Sequence, residues 1–337
     1  MPLSQPSQLL EKNLELFDRK TLLLNPPADG FAQLLNAEEK TRFCSMALSQ
    51  SALDDMAASG VQDVGLFGAT DCVDFVLYLP KMKNRADMLL NYVRSVWQED
   101  SRLFIVGENK GGIKSIETPL KKQFGRIYKQ ASGKHCVLMF ADQCLEKTSF
   151  KLERYLKYNK IENIDLELAS YPGVFSEARL DKGTSILFEF LPDDLKGRFV
   201  DFGCGAGVIA AYLRKHHVKP KMTLLDDDLL SLAAAQATMQ KNGLEYEEAL
   251  ASNGLKKLER KKFDCIISNP PFHQGLKTDY DVAENLLHNA KKYLHPHGRL
   301  IIVANDFLQY EPILKQHFKF VDLLGEKHGF KVISANS

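Results

Sequence analysis

Residues 198–216 read RFVDFGCGAGVIAAYLRKH, and few folds accommodate such a stretch. The first five are mostly apolar, too short for a helix and suited to a strand buried on both faces. Glycines at 203, 205 and 207 then let the backbone turn sharply and pass close to a ligand. Residues 208–216 follow as a helix. The same rhythm continues, with strands predicted at 222–225, 247–251, 263–268 and 299–304 and helices at 229–240 and 282–294. Asn242-Gly243 stops the first of these helices, and Pro296 and Gly298 stop the second. Residues 318–333 read as a hairpin. Regular alternation of strand and helix argues for a parallel sheet covered on both faces.

A chain of 337 residues exceeds what one core usually holds, so two domains are expected. The first half repeats the rhythm with less punctuation. A strand at 73–79 closes at Pro80, an amphipathic helix covers 85–97, and a strand at 103–106 runs into Gly107-Glu108-Asn109-Lys110-Gly111-Gly112. That turn resembles a nucleotide-binding half without its spaced glycines, as if the first domain were a decayed copy of the second. Residues 151–163 are charged and helix-like and read as the linker, giving domains at 1–160 and 161–337. The expected fold class is α/β, two tandem Rossmann-like domains with a degenerate N-terminal one. A formal net charge of +1 excludes a non-specific polyanion binder, so a nucleic-acid face has to be a local patch. No apolar run reaches 18 residues, the N-terminus lacks a signal-peptide layout, and the six cysteines form no C-x-x-C pair. The expectation is a reduced, cytoplasmic monomer with no membrane contact and no metal centre.

Dinucleotide sites space their glycines G-x-G-x-x-G, whereas here they run G-x-G-x-G behind Asp201. That spacing resembles the turn that holds S-adenosyl-L-methionine, in which the acid reaches the cationic amino-acid end of the cofactor. Gly203, Gly205 and Gly207 would form its cradle. Asp226 closes the next strand, where an acid can hydrogen-bond ribose hydroxyls. Asp227 and Asp228 adjoin it, so the assignment within the triplet stays open. Ser252 and Asn253, after the third strand, sit where an adenine edge would be read. A glycine turn can serve packing alone, and three aspartates before a helix can simply favour its positive end. Their conjunction in this order favours the cofactor.

Asn269-Pro270-Pro271-Phe272 ends the fourth strand. Two proline rings fix φ and make the turn rigid. The Asn269 side-chain carbonyl and the Pro270 backbone carbonyl can then face one point. An exocyclic amine conjugated to a ring is a poor nucleophile, because its lone pair is delocalised. Two acceptors on its N–H groups favour a pyramidal nitrogen whose lone pair is free to take a methyl group. Phe272 can stack on a flat substrate. Acceleration would come from positioning and preorganised polarity, without a covalent intermediate. Asn-Pro-Pro is also an ordinary turn breaker; its place at the end of a fourth strand, in a sheet whose first turn is DFGCGAG, favours chemistry. His216, His217, His295 and His297 lack ligand spacing with any carboxylate or cysteine. His273 reads equally as a substrate contact or a loop residue.

DFGCGAGV, the Asn-Pro-Pro-Phe-His turn, Pro172-Gly173-Val174-Phe175-Ser176 and Leu180-Asp181-Lys182-Gly183-Thr184 together resemble the RsmC family of bacterial small-subunit rRNA guanine-N2 methyltransferases. The resemblance extends into the first half through Tyr78-Leu79-Pro80-Lys81 and the run VGENKGGIKS from Val106. It implies two class I methyltransferase domains. The second binds S-adenosylmethionine and the target guanine; the first has lost cofactor binding and helps folding and RNA recognition. Gly203, Gly205, Gly207 and Asp226 are implied to hold the cofactor, and Asn269 to Phe272 the base. Phe175 and Thr184 are implied as further contacts over the cofactor pocket. Gln274 stands where an acidic residue is expected from the family pattern. The implied partner is small-subunit ribosomal RNA, within the assembled subunit.

Lys110, Lys114, Lys121, Lys122, Arg126, Lys129 and Lys134, against Glu117, give residues 109–135 a charge of +6. Such a patch suits phosphates, and a solvated basic face is the plain alternative. A structured guanine would have to be splayed from its stack to reach the turn at Asn269. A protein-glutamine methyltransferase shares the Asn-Pro-Pro chemistry, but its helical N-terminal bundle conflicts with strands at 73–79 and 103–106. An adenine-N6 or large-subunit rRNA guanine methyltransferase stays open, because the motif does not name the ring. A non-catalytic RNA-binding module suits the first domain better than the second. The glycine spacing opposes a dehydrogenase.

Overall fold

The structure, a computed structural model, describes residues 3–175, 180–217, 220–271 and 277–337. The chain forms two compact units that divide between Tyr155 and Leu156. Among the described residues no helix is long and apolar enough to cross a membrane.

The first unit holds strands β1 (Thr21–Leu24), β2 (Phe43–Met46), β3 (Gln62–Asp63), β4 (Asp74–Tyr78), β5 (Arg102–Glu108), β6 (Phe124–Gly133) and β7 (Cys136–Cys144). They form one sheet in the order β3-β2-β1-β4-β5-β7-β6, parallel from β1 to β5, with β7 antiparallel to both neighbours. Helices α1 (Gln5–Glu11), α2 (Phe31–Leu34), α3 (Ala37–Arg42), α4 (Gln50–Ser59), α5 (Lys83–Ser95) and α6 (Glu117–Lys121) accompany it. One apolar cluster gathers Phe75, Leu89 and Trp97, and a separate one gathers Phe17, Phe31 and Phe104. Every residue of β1 and β2 is buried. Runs of only four residues do not distinguish a buried strand from part of a buried helix, so the sequence places neither strand. At the amino ends of the central strands, the buried Asp74 carboxylate accepts Arg19 Nε at 3.0 Å and Arg102 Nε at 2.9 Å.

The glycine-containing turn after residue 106 lies elsewhere than expected for a nucleotide-binding half. It follows β5, at the fifth position, and becomes two 3-10 turns, Asn109–Gly111 and Ile113–Ser115. The turn after the central strand β1 is instead Asn25-Pro26-Pro27-Ala28-Asp29-Gly30.

The second unit opens with a ribbon of β8 (Lys157–Ile161) and β9 (Leu166–Ser170). Residues 151–163 are therefore not helical beyond a 3-10 turn at Leu152–Tyr155. Both faces of β8 are largely exposed, so charge on both sides mimics a solvated helix. Strands β10 (Arg198–Phe202), β11 (Lys221–Asp226), β12 (Glu248–Ala251), β13 (Phe263–Ser268), β14 (Leu294–Asn305), β15 (Phe320–Lys327) and β16 (Phe330–Asn336) follow. Their order, β12-β11-β10-β13-β14-β16-β15, repeats the first sheet strand for strand, so the expected tandem α/β architecture holds. Helices α7 (Lys182–Glu189), α8 (Val208–His216), α9 (Leu229–Lys241), α10 (Lys277–Asn289) and α11 (Tyr310–His317) complete the unit. Helix α10 begins five residues before the predicted 282 and gives way to a 3-10 turn at Ala290–Tyr293. Pro296 and Gly298 do not precede β14 but lie inside it. Phe263 pairs with Leu294 and Cys265 with Arg299, so the residues between are bulged out, with His297 at φ 72°. Helix α11 has no counterpart in the sequence reading.

Candidate active site

From β10 the chain proceeds to β11 and β12 on one side, while β13 and β14 lie on the other. The strand order thus reverses between β10 and β13, and such a reversal opens a crevice at the carboxyl ends of the strands. Phe202 pairs with Ser268, so Gly203 and Asn269 are the next residues on the two neighbouring strands. The glycine turn and the Asn-Pro-Pro turn meet here although 66 positions separate Phe202 from Ser268.

Gly203, Gly205 and Gly207 all have positive φ, at 67°, 52° and 76°. The N–H groups of Gly203 and Cys204 both donate to the Leu225 carbonyl, at 2.8 and 3.0 Å, which pins the turn to the end of β11. A Cβ on Gly207 would lie 2.9 Å from Ala235 Cα, so this glycine lets α8 approach α9. A Cβ on Gly203 would meet no atom of the described residues within 4 Å, so none of them blocks that face of the backbone. At Gly205 a Cβ would lie 3.7 Å from the Cβ of the exposed Phe175, which brings Phe175 to the turn.

Asp201 is fully buried and accepts Ala210 N–H on Oδ2 at 3.0 Å. Its Oδ1 has no partner among the described residues. Burial pushes the carboxyl up to about 7. Asp226 accepts the N–H groups of Gly205 and Asp228, each at 2.9 Å. Burial, helped by the Asp228 and Asp227 charges, pushes Asp226 up to about 7 as well. Two acids raised together are what a bound cation would relieve, and S-adenosylmethionine carries cationic groups. The cleared backbone at Gly203 and the orphaned Asp201 Oδ1 fit that cofactor.

The aspartate triplet divides its roles. Asp228 caps α9 by accepting Ser231 N–H at 2.7 Å, while Asp226 faces the glycine turn and Asp227 is half-buried between them. Ser252 N–H donates to the Asp226 carbonyl at 2.9 Å, which brings Ser252 and the half-buried Asn253 beside it. The Ser252 hydroxyl serves its own loop, donating to the Gly254 carbonyl at 2.8 Å and accepting Lys257 N–H at 3.2 Å.

Asn269 is held from one side. Its Nδ2 donates to Asp181 Oδ2 and to Thr184 Oγ1, both at 2.9 Å. Its Oδ1 is buried and without a partner among the described residues. Thr184 is itself buried and joins this cluster through Asn269. Pro270 is buried and Pro271 half-buried, while Phe272, His273 and Gln274 lie outside the described residues. Sequence reasoning missed Asp181. Its signal was an acid followed by a short apolar helix, which marks an N-cap.

At the same place in the first unit, Asn25 Nδ2 donates to the Tyr78 carbonyl at 3.1 Å, bridging the ends of β1 and β4. The buried Asp29 accepts Ser4 N–H at 2.9 Å and Phe31 N–H at 3.1 Å. Both polar side chains at this place are bonded to their own chain. Further along the edge, Lys110, Lys114, Lys122 and Lys129 are exposed. A concavity of about 540 Å³ is lined by Asn109, Lys114, Lys129 and Ser132 over Ile113, Val137 and Met139. Two expected phosphate contacts are already engaged. Lys121 Nζ lies 2.7 Å from Glu117, and Arg126 Nε donates to both Asp142 oxygens at 3.0 and 3.1 Å. Asp142, on the neighbouring strand, lowers the local charge by one.

A sheet of this order, with a glycine turn and paired acids at its reversal point, belongs to the S-adenosylmethionine-dependent methyltransferases, and the first unit is a degenerate copy of the same fold. Residues 165–334 match the methyltransferase small domain family and residues 7–159 the N-terminal domain that accompanies it. Ribosomal RNA small subunit methyltransferase C of Pseudoalteromonas translucida is 38% identical and covers 99% of either chain. The enzyme of that name from Psychromonas ingrahamii is 35% identical, over 98% of this chain and 96% of its own. The solved structure of the T. thermophilus 16S rRNA N2 G1207 methyltransferase, RsmC, in complex with AdoMet and guanosine is 25% identical. It matches 99% of this chain and 92% of its own with a TM-score of 0.85. The chain belongs to the ribosomal RNA small subunit methyltransferase C family.

Proposed function

We propose that the protein methylates the exocyclic N2 of a guanine in 16S rRNA, as a monomer acting on the assembled small subunit. The observation that carries this reading is the Asn269 amide, whose N–H groups are both engaged while its buried oxygen has no partner among the described residues and can accept from an amine. S-adenosylmethionine supplies an electrophilic methyl group on sulfonium. Gly203, Gly205, Gly207, Asp201 and Asp226 hold it, with Phe175, Asp227, Ser252 and Asn253 around it. Asn269 Oδ1 and the Pro270 carbonyl accept the two N–H groups of the guanine amine and aim its lone pair. Phe272 stacks on the base. The methylated nitrogen is cationic and gives its proton to water, so no strong base is required. The first unit recognises RNA through Lys110, Lys114 and Lys122 and supports folding of the second. A net charge of +1 gives little general attraction to RNA, which favours a structured surface over naked strands.

The test is transfer of labelled methyl from S-adenosylmethionine to unmodified small subunits, beside free rRNA, large subunits and release-factor protein. N2-methylguanine in small-subunit RNA is the expected product. Label in adenine, in large-subunit RNA or in protein would overturn the substrate. Asn269→Ala is expected to lose about 100-fold or more in kcat, on the scale of removing one preorganised polar group, with cofactor affinity kept. Wild-type turnover by that variant would remove Asn269 from the chemistry.

A further inference from the structure

We infer that Asp181 is a positioning residue for methyl transfer: its carboxylate decides which end of the Asn269 amide faces the substrate. The inference rests on the role of Asn269 proposed above. The oxygen and NH2 ends of an asparagine side chain are nearly equal in shape, and the torsion that exchanges them is broad and roughly two-fold. The Pro270-Pro271 turn fixes the backbone but not that torsion. An amine substrate needs the oxygen; the flipped amide would set donor against donor. Thr184 does not discriminate, because its hydroxyl can accept from Nδ2 or donate to Oδ1. A carboxylate only accepts. Asp181 Oδ2, 2.9 Å from Nδ2, therefore admits one orientation, and the buried Oδ1 is left for the substrate.

Asp181 is fixed in turn. It is the N-cap of α7, and the same Oδ2 accepts Thr184 N–H at 3.1 Å. Gly183 allows the close fit, since a Cβ there would lie 3.1 Å from Asp181 Oδ2 and 3.2 Å from the Phe330 ring. The chain of contacts runs from a helix cap, through one oxygen atom, to the amide at the reversal point of the sheet. The carboxylate also draws on the amide N–H and so strengthens its oxygen as an acceptor.

Asp181→Ser is the test, because serine caps a helix about as well as aspartate yet is too short to hold Asn269. Under saturating cofactor and subunits its kcat should fall about 10- to 100-fold, the range of one charge-assisted hydrogen bond, with cofactor Kd and melting midpoint near wild type. Asp181→Asn should recover most of the rate, since Thr184 N–H keeps an oxygen in the same place. In an Asn269→Ala background, read by single-turnover labelling, Asp181→Ser should cause no further loss. Wild-type kcat in the serine variant would overturn the inference, as would an equal loss in the Asn269→Ala background or an asparagine variant as slow as the serine one. If the serine variant does not fold, Asp181→Gly, also tolerated at a cap, stands in for it under the same outcomes. Full activity of Asn269→Ala by itself would sink the role of Asn269; full activity of Asp181→Ser beside an inactive Asn269→Ala would sink only this inference.

Discussion

Asp201 shows how one residue couples folding to ligand binding. Folding raises its carboxyl from 3.8 to about 7. A carboxyl raised in this way favours the fold while protonated. Its contribution is complete below 3.8, declines as pH rises and is gone above about 7. A cationic ligand favours the ionised form and works in the opposite direction. Asp201→Asn, neutral at every pH, should therefore melt higher than wild type at pH 8 without cofactor, with the gap narrowing toward pH 5. At about 1.4 kcal/mol per pKa unit the gain amounts to a few kcal/mol at most. The same variant should bind S-adenosylmethionine about tenfold or more weakly at pH 8. Melting scans at both pH values and calorimetry with cofactor check this; a gap independent of pH would mean that the buried carboxyl carries no penalty. The sequence identified Asp201 by its place before the glycines, but nothing in the sequence marks it as buried with one oxygen unpartnered among the described residues.

Among the elements, the glycine turn joins two physical demands within one motif. At Gly207 the demand is packing, because α8 lies against Ala235 of α9. At Gly203 the demand is a positive φ of 67° with a clear ligand face. Gly207→Ala should destabilise the second unit by about 2–4 kcal/mol, combining overpacking with a strained φ. Gly203→Ala should destabilise it by only about 1 kcal/mol and act mainly on cofactor Kd. Thermal melting beside calorimetry separates the two; equal effects on stability would show that the α8–α9 contact is not what requires glycine at 207. The strands and helices on either side of this turn were legible because strand, glycine and helix follow one another without interruption. Strand β8 was not, since both its faces are largely exposed and each carries a lysine. Residues 294–298 were misread because proline and glycine mark a bulge in a strand as readily as a helix stop.

For the molecule as a whole, RNA affinity has to come from a limited patch on a nearly neutral chain. Subunit binding should weaken steeply with salt, and Lys114→Glu with Lys129→Glu should reduce the slope of log K against log salt by about two. Arg126→Ala should change it little, because its guanidinium already faces Asp142. Filter binding between about 50 and 200 mM salt reads these slopes. A flat response in the wild type would remove the patch from RNA recognition, and a large effect of Arg126→Ala would show that the pair with Asp142 opens on binding.

Local spacing determined much of this protein. Glycines at every second position, an acid before them and an Asn-Pro-Pro turn after a buried strand are short-range patterns, because turn geometry and strand length are set within a few residues. The repetition of the whole sheet order in the first unit needed the tertiary structure, since β1 and β2 are recognisable only by what they pair with. So did the bridging of β1 and β4 by Asn25 and the pairing of Arg126 with Asp142 across two strands. The approach of Asp181 to Asn269, 88 positions apart, is of the same kind. A hydrogen bond depends on distance in space, and only packing of the sheet and α7 decides which distant acceptor reaches an amide whose two ends the sequence leaves equivalent.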